Sequence, residues 1–95
     1  MDPKDASGVT FSSFVVTLAT TAAVHFGDIA DPNTGKQGEP NLAAAAQMIE
    51  LLAMLQQKTK GNLIDVEAKL IDDLLYELRM RFVQAQQGEK RIIEP

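Results

Sequence analysis

The sequence predicts an all-α fold: a helical hairpin plus a further helix in each chain, with chains assembling into a homo-oligomer, most simply a dimer. Three segments carry apolar residues at three- and four-residue spacing, and turn-forming residues separate them, which predicts three helices. Residues 11–27 contain no Asp, Glu, Lys or Arg. This predicts the assembly, because a surface helix normally carries charge on its outward side.

The first predicted helix covers residues 11–26. Thr10 or Ser12 is placed to cap its start, and Gly27 stands where a left-handed C-terminal cap belongs. One side of this helix is apolar, with Phe11, Phe14, Val15, Leu18, Ala22 and Phe26. The opposite side is polar but uncharged, and its hydroxyls can bond to a carbonyl one turn back: Ser13, Thr17, Thr20 and Thr21. We therefore expect a helix that is covered on more than one side.

The second predicted helix, residues 41–58, follows a connection that contains the turn-forming sequence PNTG. This connection, residues 27–40, is too long for a tight hairpin, so we expect it to span the width of the molecule. Asn41 is the expected N-cap. Apolar residues cover an arc of about 220° on this helix, at about 100° per residue: Leu42, Ala45, Ala46, Met48, Ile49, Leu51, Leu52, Ala53 and Leu55. Such an arc predicts packing from two directions.

The third predicted helix covers residues 65–86, with Asp65 as its expected cap. Its main apolar side contains Leu70, Ile71, Leu74, Leu75, Leu78 and Phe82, and a weaker apolar strip on the far side contains Tyr76, Met80 and Val83. Two acid-first pairs at four-residue spacing are expected to stabilise it: Asp65–Lys69 and Glu77–Arg81. The predicted domain is residues 11–87, between flexible ends at residues 1–10 and 88–95.

The composition predicts which classes of partner and which cellular location to expect. The chain of 95 residues is 45% hydrophobic and 23% charged, which fits one folded domain. Its net charge is −4 and its basic residues form no stripe, so we expect no nucleic-acid partner. It has no cysteine, which excludes disulfides and thiolate zinc sites and fits a cytoplasmic location. The acidic residues 1–8 predict no secretory leader.

A membrane span is the alternative interpretation of the uncharged segment. Residues 8–27 have the length of a short span, but six of these twenty residues are Ser or Thr and only one is Leu. No Trp or Tyr and no excess of Lys or Arg flanks the segment. A buried helix is therefore the better interpretation.

Burial of the first helix requires a second chain, because three helices cannot surround one of their own members. A single core of this size also supplies only about 3–5 kcal/mol of stability. We expect the cover to come from another copy, with two small residues, Ala19 and Ala23, allowing close approach. The predicted interface contains Phe11, Phe14, Leu18, Ala19, Ala23, Met48, Leu51, Leu52, Leu55, Tyr76 and Met80.

Few residues are candidates for chemistry, and no catalytic residue is predicted. His25 and Asp28 have a spacing that suits a metal ligand pair, but without a second histidine or a thiolate a core-edge histidine is favoured. The carboxylates Asp72, Asp73 and Glu77 are interpreted as a solvated charge pattern, since basic residues neighbour them. Ser13 lies three turns from His25, which excludes a Ser–His pair within one chain.

Four stretches carry a resemblance to a known family: FSSFVVTLATTAAVHFGDI, DPNTG, NLAAAAQMIELLAMLQQKTKGNL and LIDDLLYELRMRF. Over residues 11–83 the chain resembles domain of unknown function 1844, a bacterial family. The resemblance implies a bacterial, cytoplasmic, helical protein. It implies no activity and no catalytic residues.

The first hypothesis is therefore a non-catalytic helical oligomerisation or protein-interaction module, without a cofactor and not an enzyme. Two alternatives remain open. One is a small-ligand or metal-binding protein that uses His25, Asp28 and the hydroxyl side of the first helix. The other is a membrane-associated subunit that uses residues 11–26.

Overall fold

The computed structural model describes the backbone of residues 8–93 and the side chains of residues 8–88. It contains three helices, α1 (Phe11–Phe26), α2 (Leu42–Lys58) and α3 (Asp65–Ile93), and no strand within those residues. Each helix contacts the other two. The all-α prediction with three helices is confirmed. Residues 1–7 and 94–95 of the predicted flexible ends lie outside the described residues.

Both ends of α1 follow from local sequence signals. The Thr10 hydroxyl accepts a hydrogen bond from the Ser13 amide, and the Ser13 hydroxyl accepts one from the Thr10 amide, so a reciprocal capping box starts the helix. Gly27 ends it in the left-handed conformation (φ 80°), with its N–H donating to the carbonyls of Ala23 and Val24. Its α-carbon also faces Pro40, whose Cγ would lie 3.3 Å from an added Cβ. Glycine is thus required at position 27 for two reasons.

The connection between α1 and α2 does not span the molecule, contrary to the sequence prediction. The Asn41 amide donates to the His25 carbonyl at 2.7 Å, so the two ends of the connection meet. In between, Asp31 and Lys36 close a turn through a backbone hydrogen bond of 2.8 Å, and the Asp31 carboxylate accepts from the Asn33 amide. Residues 27–40 form a surface loop that folds back on itself, because its turn residues make hydrogen bonds to backbone groups within the loop.

The start of α2 agrees with the sequence prediction, and the start of α3 differs in its cap. The Asn41 side chain accepts from the Ala44 amide, as expected of an N-cap. Asp65 is the first helical residue of α3 and does not cap it. Instead the Glu67 carboxylate reaches back to accept from the Ile64 amide at 3.1 Å. Half of a capping box therefore replaces the predicted Asp65 cap, and Glu67 is buried in this role.

The third helix is longer than predicted. It continues past residue 86 and through Gly88 to Ile93, so residues 88–93 of the predicted flexible tail are helical. A single glycine costs a helix only about 1 kcal/mol relative to alanine, and good helix formers stand on both sides of it. That cost is too small to end a helix already well formed.

The core lies where one side of each helix meets the other two. Among the residues whose side chains are described, nine apolar ones are buried in it: Val15, Ala22, Phe26, Ala45, Ile49, Leu52, Ile71, Leu75 and Leu78. The Phe26 ring meets the Phe82 ring edge-on, with centroids 6.5 Å apart. Leu52 was predicted at the oligomer interface, but it is 0% exposed within one chain. That prediction is wrong, because the wide apolar arc of α2 includes the core-facing side as well as an exposed one.

Candidate functional site

The outward side of α1 is a candidate interaction surface. We call it the α1 surface and define it by Ser13, Phe14, Val16, Thr17, Thr20 and Val24, which are exposed or half-buried. Phe14 is 49% and Val16 46% exposed. No residue of α1 carries a fixed charge. One chain therefore leaves the outer side of this helix uncovered, although its composition resembles that of a buried helix.

The hydroxyls of Ser13 and Thr17 on this surface, and of Thr21 beside it, are already bonded to backbone carbonyls. The Thr17 hydroxyl donates to the Ser13 carbonyl at 2.9 Å, and the Thr21 hydroxyl donates to the Thr17 carbonyl at 3.0 Å. The Ser13 hydroxyl bonds to the backbone ahead of the helix. Burying a polar group is costly when it loses its hydrogen bond, and these donors would keep theirs. The α1 surface can therefore be covered at low cost.

The predicted interface residues fall on two sides of the molecule. Val15 is buried, and its neighbours Phe14 and Val16 lie on opposite flanks of α1. Val16 lines a groove against α3, so Phe14 lies on the side of α2. Leu51, 41% exposed, lies on the matching flank of α2, and four partly buried residues pack against the core: Phe11, Leu18, Met48 and Leu55. Phe14 is part of the α1 surface, and the other five residues lie on the α1–α2 side of the molecule.

Tyr76 and Met80 belong to a different side. The buried Ile71 marks the side of α3 that faces the core. At about 100° per residue, Tyr76 lies about 140° and Met80 about 180° around the helix from Ile71. With Val83 they form an exposed apolar strip on the outer side of α3. The structure thus does not bring Tyr76 and Met80 together with the α1 surface.

A groove of about 390 Å³ separates α1 from α3. Ala19 and Ala23 line one wall, and Leu74 and Leu78 line the other. The two alanines were predicted to allow close approach of a second chain. In the structure they leave room beside α3 of the same chain, and the groove borders the α1 surface.

An ion pair at the end of this groove joins the loop to α3. The Arg81 guanidinium donates to both Asp28 carboxylate oxygens, from Nε at 2.8 Å and from Nη2 at 2.7 Å. The guanidinium also lies 5.1 Å from the centroid of the Phe26 ring. The hydrogen bonds from Arg81 lower the pKa of the Asp28 carboxyl despite its partial burial, and the same bonds raise the pKa of Arg81. Arg81 was predicted to pair with Glu77, and that prediction is wrong.

His25 and Asp28 do not share a site. His25 lines a cavity of about 420 Å³ with Asp31 and the hydroxyl-bearing Thr17, Thr20 and Thr21. Asp28 instead lines the α1–α3 groove, where Arg81 occupies both of its oxygens. The predicted pairing of His25 with Asp28 is therefore wrong, and the cavity beside His25 contains Asp31 instead. Among the residues that the structure describes, no group of three or more His, Asp or Glu side chains is arranged to hold a metal.

The predicted carboxylate cluster is spread over the exposed sides of α3. Asp73 pairs with Lys69 at 3.0 Å, so Lys69 does not form the predicted pair with Asp65. Asp72 accepts a long hydrogen bond, 3.4 Å, from the Gln56 amide of α2. Glu77 lines the α1–α3 groove. This arrangement is the solvated charge pattern that the sequence predicted.

A second groove, of about 780 Å³, lies between α2 and α3. The sequence does not predict it. Its lining combines apolar residues with the polar Gln56 and Gln57 and with three charged residues, Glu50, Lys60 and Arg79. Only the pairing of two helices brings these residues together, so no local motif indicates them.

None of the helices, over their described residues, is long and apolar enough to cross a membrane. No curated protein and no solved structure matches the chain. One family does match, over residues 8–84, which include α1, α2 and most of α3. The grooves and the α1 surface all lie within this range. The chain belongs to the family described as domain of unknown function DUF1844.

Proposed function

We propose that this protein is a non-catalytic helical self-association module of the cytoplasm, in which a second copy covers the α1 surface. The observation that carries the proposal is a solvent-facing helix without charge in which the Thr17 and Thr21 hydroxyls are bonded to carbonyls of the same helix. The hydration of such a surface is only weakly favourable. Covering it with an apolar partner surface therefore costs little free energy, because the bonded hydroxyls keep their hydrogen bonds.

A second copy is the occupant because the surface is complementary to itself. Each chain has a net charge of −4, so two copies repel each other where their charged sides meet. The α1 surface is free of charge and presents methyl and phenyl groups, which pack well against the same groups. A two-fold axis places the same patch on both sides of the interface, as in most homodimers.

The area available supports a dimer that extends beyond α1. A helix of 16 residues is about 24 Å long, and half the circumference of a cylinder about 10 Å wide gives roughly 380 Å². A standard interface buries about 800 Å² per partner. The remainder must come from the flanks, and Leu51 on the α2 side and Leu74 on the α3 side are positioned for it.

The test places one charge on each of two surfaces. Val16→Lys introduces an ammonium into the α1 surface, and Val83→Lys introduces the same group on the outer side of α3. The two valines are matched in exposure, 46% and 47%. Both variants and the parent chain are measured by light scattering and sedimentation at several concentrations, with circular dichroism as the control for folding.

The proposal predicts that Val16→Lys is a folded monomer and that Val83→Lys associates like the parent chain. A buried, unpaired ammonium costs several kcal/mol, enough to shift a micromolar dimer beyond measurable concentrations. If Val83→Lys dissociates the assembly and Val16→Lys does not, the interface is on α3 and the proposal is wrong. A parent chain that is monomeric throughout overturns it as well.

The cavity beside His25 favours a second candidate function, the binding of a small polar ligand. His25 and Asp31 can supply a hydrogen-bond donor and an acceptor, and Thr20 and Thr21 line the cavity between them. Native mass spectrometry of the purified protein tests this candidate. A bound small molecule that is lost in His25→Ala supports it, and a bare chain in both samples counts against it.

A further inference from the structure

The groove between α2 and α3 has the form of a ligand site. We propose that it binds an elongated carboxylate with an apolar tail, as in a fatty acid, and that the carboxylate lies at Lys60. The groove of about 780 Å³ has the volume typical of small-molecule sites. Its residues belong to α2, α3 and the turn between them, away from the α1 surface, so the proposal stands independently of self-association.

Part of the groove lining is apolar. It includes the half-buried Ala53 and Leu63, the exposed Ala68 and the fully buried Ile71, beside the polar Gln56 and Gln57. Protein interiors are close-packed, and a helix pair normally fills such a seam with larger side chains. Two alanines on neighbouring helices leave a channel that a hydrocarbon chain can occupy. The favourable transfer of such a chain from water is about 0.8 kcal/mol per buried CH₂ group.

The rim carries two cations, Lys60 and Arg79. Within the described residues, the ion pairs are Lys69–Asp73 and Arg81–Asp28, so neither rim cation is neutralised by a carboxylate there. An anionic headgroup therefore meets charge of the opposite sign at this groove. A cationic amphiphile would be repelled from both positions.

The register of the two helices assigns the headgroup to Lys60. The contact between Gln56 and Asp72 fixes which levels of α2 and α3 lie side by side. Because α2 and α3 are antiparallel, residues before Gln56 lie beside residues after Asp72. Glu50 and Arg79 therefore lie at one end of the groove, and Lys60 lies at the other. Glu50 would repel a carboxylate near Arg79. Lys60 has no lining carboxylate at its end.

The turn at the Lys60 end of the groove favours a small molecule over a partner helix. The turn after α2, with Gly61 and Leu63, lines the groove at the Lys60 end. A helix of about 10 Å diameter that continued along the groove would meet this turn, whereas a carboxylate at Lys60 can lie beside the turn with its acyl chain directed along α3. The distance along α3 from Ala68 to Arg79 is about 16 Å at 1.5 Å per residue. A medium-length acyl chain fits within this distance.

The test uses the full chain, with decanoate as the probe and decylammonium as its matched control of opposite charge. Binding is measured by titration calorimetry and by backbone amide shifts in NMR spectra. We expect decanoate to shift the amides of Ala53, Gly61 and Ala68, and to bind at least about fivefold more tightly than decylammonium. Absence of decanoate binding, or shifts confined to α1, overturns the proposal.

Two pairs of variants locate the headgroup and the tail. Lys60→Gln should weaken decanoate binding about fivefold and remove the preference over decylammonium, whereas Lys58→Gln, an exposed lysine outside the groove, should not. Ala68→Leu should fill the channel and abolish binding, whereas Ala43→Leu on the exposed side of α2 should leave it unchanged. Equal effects within either pair contradict the assignment. Thermal unfolding of each variant shows that it is folded.

Discussion

The α1 surface and the outer side of α3 expose similar amounts of apolar side chain but differ in the charges around it. Val16 and Val83 are exposed to nearly the same extent, 46% and 47%. Val16 stands on a helix without charge, while Val83 shares the outer side of α3 with the ion pair Lys69–Asp73. Scattered apolar groups among charges are ordinary surface. An apolar group on a charge-free helix is instead what the proposed self-association would cover.

The largest expected effect separates the two sides of α1 itself. Phe26→Ala removes a buried ring that contacts Phe82 and stacks under Arg81, so we expect a loss of about 3–5 kcal/mol in the free energy of unfolding. Phe14→Ala removes the same group from the exposed side, and its cost to one chain should be about 1 kcal/mol or less.

Denaturant unfolding at low protein concentration measures both variants as monomers, and light scattering measures their assembly. Phe14→Ala should weaken self-association far more than it weakens folding. Equal losses of folding stability in the two variants would contradict the description of α1 as a helix with one buried and one uncovered side.

A smaller effect is expected where α1 ends. Gly27→Ala forces an alanine into the left-handed region at φ 80° and brings its Cβ to 3.3 Å from Pro40, so we expect a loss of about 2 kcal/mol. Gly35 is the matched control, since it has φ 72° and open space around it. Gly35→Ala should cost about 1 kcal/mol, from the backbone alone. Thermal unfolding of both variants measures the two losses of stability, and their difference gives the contribution of the Pro40 contact. Equal losses in the two variants would show that this contact does not affect stability.

The smallest effect concerns the ion pair that ties the loop to α3. Asp28→Asn should lower stability by less than about 1 kcal/mol, because both partners are more than one third exposed and solvent screens them. The pKa of Asp28 is lowered in the folded chain, so its contribution is present above the ordinary Asp pKa, about 3.9, and is lost as the pH falls through the lower folded value.

The stability difference between the parent chain and Asp28→Asn should therefore be constant near neutral pH and should vanish in acid. Urea unfolding at a series of pH values measures this difference. A difference that persists at the lowest pH would mean that Asp28 acts through packing and not through its charge.

Local sequence signals were sufficient to predict most helix ends. Thr10, Gly27 and Asn41 satisfy backbone groups within one turn of themselves, so their roles depend on neighbours in the sequence. The end of α3 was missed because one glycine opposes several helix-forming neighbours, and the balance is too fine for a local rule.

Contacts between distant residues could not be predicted in this way. Asp28 and Arg81 are 53 residues apart, and Arg81 has a nearer acidic residue, Glu77, at favourable helical spacing. Leu51 and Leu52 are equally apolar neighbours, and only the packed structure shows which of them is buried. The α2–α3 groove likewise depends on two alanines that only the pairing of helices brings together.

The measurement that tests self-association most directly is the absolute mass of the parent chain in solution. Light scattering without detergent is made over a dilution series that extends below micromolar concentration. We expect a mass near twice the chain mass of 10.3 kDa at the higher concentrations. A mass of 10.3 kDa at every concentration would contradict the account, because the charge-free side of α1 would then remain open to water.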